Sequence, residues 1–83
     1  MRRIEITNWM YDNLCKAMNG YNLEPIATKT ASGYIVETQK VVRHTTKAYL
    51  VDFRYFKKAD GYTVDMQEYA GFEFWIPRMA IIR

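Results

Sequence analysis

Three groups of side chains have the types and spacing to do chemistry: His44 among its neighbouring cations, Cys15, and the carboxylates Asp60, Asp65, Glu68 and Glu73. A histidine acts as a general base when a partner orients it and its surroundings tune its charge. His44 is the only histidine. It sits between Arg43 and Thr45, and no nucleophile stands beside it. It reads as an exposed loop residue. A cysteine nucleophile needs positive surroundings that favour the thiolate. Cys15 lies near an apolar helical stripe and reads as a buried structural thiol. Paired carboxylates can divide acid and base roles. These four are spread over segments that face a basic strand, and cross-strand charge pairing accounts for them. There is no glycine-rich phosphate loop, metal-ligand cluster or nucleophile elbow. The expectation is a protein that is not an enzyme and that uses no cofactor and no metal.

Binding chemistry is better represented. Arg43, Lys47, Arg54, Lys57 and Lys58 interleave with Tyr49, Phe53 and Tyr55. Single-stranded nucleic-acid binders use this pairing, with cations tracking phosphates and rings stacking on bases. On that reading Arg43, Lys47, Arg54, Lys57, Lys58 and Tyr55 would form the interface. The competing reading puts the rings in the core and the cations against acids. From Arg43 to Lys58 five cations face one anion, Asp52, a balance of +4; from Ala59 to Pro77 the four acids stand without a cation, a balance of −4. The two segments cancel, which favours pairing within the fold. Protein binding is the leading expectation. It would use Trp75 with the acidic residues Asp65, Glu68 and Glu73, because exposed Trp, Tyr and Arg are the usual anchors of interfaces.

These residues need elements to position them. Ile4 and Ile6 alternate with charged neighbours and predict a short strand. Thr7 or Asn8 can cap a helix through its side chain. Met10, Leu14 and Met18 recur every fourth residue, so a helix runs from about Trp9 to Met18 and stops at Asn19-Gly20. Tyr21 to Gly33 reads as a loop with a short extended piece around Ile26. Tyr34 to Val42 is a strand with Tyr34, Val36 and Val42 on one face and Ile35 and Val41 on the other. Thr46 to Phe56 is the strongest strand, with Tyr49, Val51, Phe53 and Tyr55 in alternation. Asp60-Gly61 predicts a hairpin turn. Tyr62 to Tyr69 then returns with Tyr55 opposite Met66 and Phe53 opposite Glu68. Ala70-Gly71 permits a bulge. Phe72 to Ile76 forms a further strand, and Met79 to Ile82 an edge strand able to pair with a second copy.

The whole chain, residues 1–83, reads as one domain: α+β, with one short N-terminal helix on a four- to five-stranded antiparallel sheet or small barrel. Its single cysteine permits no internal disulfide and suits a reducing compartment such as the cytoplasm. The charged start has no apolar run behind it and does not read as a secretory signal. No apolar stretch approaches the roughly 20 residues needed to cross a bilayer. The expected partners are another protein, with nucleic acid or a second copy of the chain as alternatives, and no membrane.

Two short motifs carry a resemblance. Thr45-Thr46-Lys47-Ala48 begins the strongest strand, and Trp75-Ile76-Pro77-Arg78 follows some thirty residues later. Together they resemble a Thr-x-Lys-Ala … Trp-Ile-Pro-Lys/Arg-Ser pattern found in short proteins of phages and other mobile elements. Met79 stands where that pattern has serine. The resemblance covers about Thr45 to Arg83. It implies a phage-type protein that binds and disables a host protein, in anti-defence or host takeover, as anti-CRISPR proteins do.

Overall fold

The computed structural model describes residues 3–59 and 63–82. Strand β1 (Arg3–Thr7) leads into helix α1 (Asn8–Asn19). Five strands follow: β2 (Leu23–Pro25), β3 (Ala27–Lys29), β4 (Gly33–His44), β5 (Ala48–Ala59) and β6 (Thr63–Pro77), and a 3-10 turn spans Arg78–Ala80. All strand pairings are antiparallel. The helix packs on the curled six-stranded sheet, which forms a half-barrel, so the expected α+β architecture is present.

The helix follows from its spacing. Met10, Leu14 and Met18 are all buried against the sheet. Tyr11 stacks on Tyr34 of β4, with ring centroids 3.7 Å apart. Thr7 occupies the N-cap position, but its hydroxyl makes no capping bond. Asn8 instead accepts a bond from Lys29 Nζ at 3.2 Å, tying the helix start to β3. The residues with zero exposure include Phe53, Ile6, Leu14, Met18, Ile76 and Val36. They are the inward positions of α1, β1, β4, β5 and β6. Burying a side chain of this size stabilises a fold by about 1.5–3 kcal/mol.

The sheet curls because β4 and β5 pair for only part of their lengths. They run together from Thr38–Phe53 to His44–Tyr49. Beyond that point they part, and β2 and β3 fill the corner as nearly one strand. Leu23, Glu24 and Pro25 pair with β5, while Ala27, Thr28 and Lys29 pair with β4. Between them, the Ile26 carbonyl accepts the Glu37 N–H at 2.8 Å. The expected loop from Tyr21 to Gly33 is therefore mostly strand. Leu23–Pro25 and Ala27–Lys29 take extended form because two half-edges with free hydrogen-bonding groups await them, while Thr30, Ala31 and Ser32 stay outside the strands. Pro25, which lacks an N–H, sits in a strand with only one partner.

Two bulges in β4 change which side chains face inward. Gln39 is the extra residue between Thr38 and Lys40, and Val42 the extra residue between Val41 and Arg43. Each reverses the alternation beyond it. Val41 consequently faces inward and Val42 is exposed, the reverse of the simple alternation. The β5–β6 register also shifts. Tyr55 pairs with Tyr69 and Phe53 with Phe72, in place of Met66 and Glu68. The expected Asp60-Gly61 turn lies outside the described residues. The two segments expected from Tyr62 to Ile76 are a single strand, bulged at Ala70-Gly71 as expected.

The β6 bulge is closed by a buried carboxylate. Asp52 is 8% exposed and accepts the Gly71 N–H at 2.6 Å. Gly71 has φ +111°, a conformation that side chains resist. At the other margin, the expected edge strand over Met79 to Ile82 is replaced by the 3-10 turn and one bridge. Ile81 pairs with Ile6, and Ile82 N–H donates to the Glu5 carbonyl at 2.7 Å. That backbone is satisfied by β1 of the same chain.

Asp52→Ala is expected to cost about 1.5–3 kcal/mol, the range for a bond to a charged acceptor. Glu73→Ala, at an exposed position across the strand, should change stability by less than about 0.5 kcal/mol. Urea denaturation of the two variants measures both; equal costs would show that the bulge does not depend on the carboxylate.

Candidate functional site

The outer face of β4, β5 and β6 carries ordered rows of side chains. In the first row Arg43 faces Leu50 and Leu50 faces Trp75. In the second Lys40 faces Asp52 and Asp52 faces Glu73. In the third, Arg54 donates to Gln39 at 2.8 Å on one side and pairs with Glu68 at 3.2 Å on the other. Trp75 is 43% exposed and Val42, in the neighbouring bulge, is 38% exposed. An indole, a leucine and a valine thus form an apolar centre, with charged side chains around it. The sheet beneath holds it rigidly, since Val51, Phe53 and Ile76 on the opposite face are buried.

The expected protein-binding residues divide as follows. Trp75, Glu73 and Glu68 share this outer face. Asp65 falls in β6, and its side chain lies outside the described residues. Leu50 and Val42 join the site without having been singled out in the sequence. Leu50 was legible from the β5 alternation; Val42 depended on a bulge that no residue type announces.

The expected nucleic-acid residues separate. Arg54 is on the outer face, engaged with Glu68 and Gln39. Lys57 lies over the Tyr69 ring at 4.3 Å, and Tyr55 stacks on that same ring on the inner face. Lys58 turns toward the helix, where it donates to Asn19 Oδ1 at 3.1 Å and approaches Glu24 at 3.8 Å. Exposed pairs of this kind contribute about 0–1 kcal/mol each. Arg43 and Lys47 lie at the β4–β5 hairpin end, away from these three. The cations of one strand therefore form no single stripe.

The groups with possible chemistry are also placed. His44 is exposed, 6.1 Å from the Tyr49 ring. Cys15 is half-buried beside Tyr11. Burial pushes its thiol pKa up, against the lowering effect of a bond to Tyr11. That direction is the reverse of what a nucleophile needs. Burial likewise pushes the Tyr11 hydroxyl up. Among the described residues no His, Cys, Asp or Glu side chains converge to hold a metal. A cavity of about 130 Å³ inside the curl is lined by Ile4, Val41, Tyr49, Val51 and Ile81, an apolar set without a carboxylate or imidazole.

The two short motifs, far apart in sequence, meet in space. Thr45 Oγ1 accepts the N–H groups of Lys47 and Ala48 at 3.2 and 3.1 Å. Ala48 pairs with Pro77, and Arg78 N–H donates to the Lys47 carbonyl at 2.8 Å. The first motif shapes the hairpin end and the second runs alongside it. Comparison with family models, characterised proteins and solved structures finds no match for the chain.

The raised thiol pKa sets an expectation for reactivity. At pH 8 less of Cys15 is thiolate than of a free cysteine, so alkylation by iodoacetamide should be slower than that of a cysteine-containing peptide in the same buffer. A faster reaction would reveal an activated thiol.

Proposed function

We propose that this chain is a small, non-catalytic, phage-type binding protein that engages a host protein in the host cytoplasm, as an anti-defence or host-takeover inhibitor of the anti-CRISPR kind. The observation that carries the protein-binding part is the outer face centred on Trp75. A large amphipathic ring stands exposed on a rigid sheet, in register with Leu50 and with the exposed Val42 two strands across. Tryptophan is favoured at the energetic centre of interfaces because it excludes much water while losing little side-chain entropy. Glu73, two residues along β6, and Arg43, two strands across, flank it, and the Arg54–Glu68 pair lies further along the same face, which gives the apolar centre a polar, charged rim. The phage-type origin rests on the resemblance of Thr45–Ala48 and Trp75–Arg78 to the mobile-element pattern.

Protein is favoured over nucleic acid on this face by charge. Arg54 is already paired with Glu68, and Glu73 projects nearby with no cation bound among the described residues. Phosphates approaching the face would meet both carboxylates.

The test is affinity capture from bacterial lysate treated with nuclease, using the wild-type chain and Trp75→Ala. The wild type should retain a host protein that the variant loses, with a binding deficit of about 2 kcal/mol or more, roughly thirtyfold. The thermal midpoint of the variant should stay near that of the wild type, since the ring is exposed. A partner captured equally by both forms would place the interface elsewhere.

A further inference from the structure

The sequence balance of +4 against −4 cancels along the chain, but it does not cancel in space. Antiparallel pairing sets Glu68 opposite Phe56 and Glu73 opposite Asp52, alongside the middle and far half of β5. The near half of β5, from Ala48 to Leu50, instead faces Pro77, Ile76 and Trp75. Between Glu37 and Asp52, and again after Glu73, the sequence has no acidic side chain. The β4–β5 hairpin end therefore gathers Arg43, Lys47 and Arg78. No carboxylate among the described residues lies within ion-pair distance of any of the three.

The site has a defined shape. Arg78 is held in two ways: its guanidinium lies over the Tyr49 ring at 5.2 Å and donates to the Tyr49 hydroxyl at 2.9 Å, while its backbone N–H is bound by the Lys47 carbonyl. His44, Thr45, Thr46 and Arg78 line an open depression, and Met79 beside it is 82% exposed.

We infer that the hairpin end, through Lys47 and Arg78 and through Arg43 where it borders the Trp75 face, binds the phosphate backbone of a single-stranded nucleic acid, at a surface centred away from Trp75. Three uncompensated cations supply the attraction, which grows as salt falls because counterions are released from the strand. The Arg78 plane and the His44 ring supply flat surfaces on which unpaired bases stack. That second feature favours nucleic acid over an acidic protein, which would need the charge alone. The inference also moves any nucleic-acid contact away from Arg54 and Lys58, whose charges are engaged within the fold. It goes beyond the proposed protein-binding function and does not depend on it.

Fluorescence anisotropy of labelled oligothymidine, titrated with the full chain at several salt concentrations, tests this. The triple variant Arg43→Gln, Lys47→Gln, Arg78→Gln should bind roughly tenfold or more weakly at low salt, and the slope of log affinity against log salt should fall by about 2, the value for three lost contacts to a single strand. Arg54→Gln and Trp75→Ala should leave affinity and slope unchanged, whether or not the Trp75 face binds a protein. Arg78→Lys keeps the charge and removes the plane, so it should keep the slope and lose affinity. Circular dichroism checks that each variant is folded. Wild-type binding that is absent or independent of salt, or a folded triple variant that binds like the wild type, would overturn the inference. So would poly-glutamate competing as well as oligothymidine at equal charge, which would assign the end to an acidic protein.

Discussion

The architecture depends on one constraint: β4 and β5 cannot remain paired along their whole lengths. Backbone groups freed where they part must be bonded again, and the β2–β3 segment does this by pairing with β5 through Leu23–Pro25 and with β4 through Ala27–Lys29. The curl of the sheet follows from that corner, and so does the space the helix fills. Tyr11 on Tyr34, and Lys58 with Asn19 and Glu24, then fasten the helix end and the corner to each other. Without the third segment, β4 and β5 would present bare edges to solvent and to other chains.

Irregularities in the ladders decide what the surface presents. The extra residue Val42 delivers an apolar side chain to the outside of a strand whose neighbour Val41 fills the inside. The β6 bulge, held by Asp52, brings Glu68 into reach of Arg54 despite their imperfect register. The same register leaves the hairpin end without acids. One face thus becomes apolar with a mixed rim, while one end becomes cationic, and both follow from where the strands slip.

Much of the fold was legible from periodicity. Met10, Leu14 and Met18 announced the helix, and Tyr49, Val51, Phe53 and Tyr55 announced β5, because each set has its partner faces within a short stretch. Ala70-Gly71 announced its bulge because only glycine accepts the backbone angle found there. What was not legible came from distant neighbours. Glu24 and Lys29 have no strong strand preference and become strand because β5 and β4 have open edges. Met79 and Ala80 were expected to extend, but they turn so that Ile81 can reach β1. For the candidate site, Trp75 and Glu73 take the outer face as alternation within their strand implies, while Glu68 reaches it through the shifted β5–β6 register. Val42 lies on the face opposite to the one simple alternation gives, and the place of Arg78 beside Tyr49 and Lys47 is a property of pairing and not of sequence neighbourhood.

The bridge between Ile6 and Ile81 joins residues separated by nearly the whole chain. A contact of such long range makes little contribution until everything between its ends is ordered, because the loop it closes is so long. During synthesis β1 emerges long before Ile81 and Ile82, and that part of its outer edge stays uncovered until they follow. Covering β1 therefore comes late in folding, and a variant lacking Ile81 and Ile82 would keep its helix while exposing an edge on which chains can aggregate.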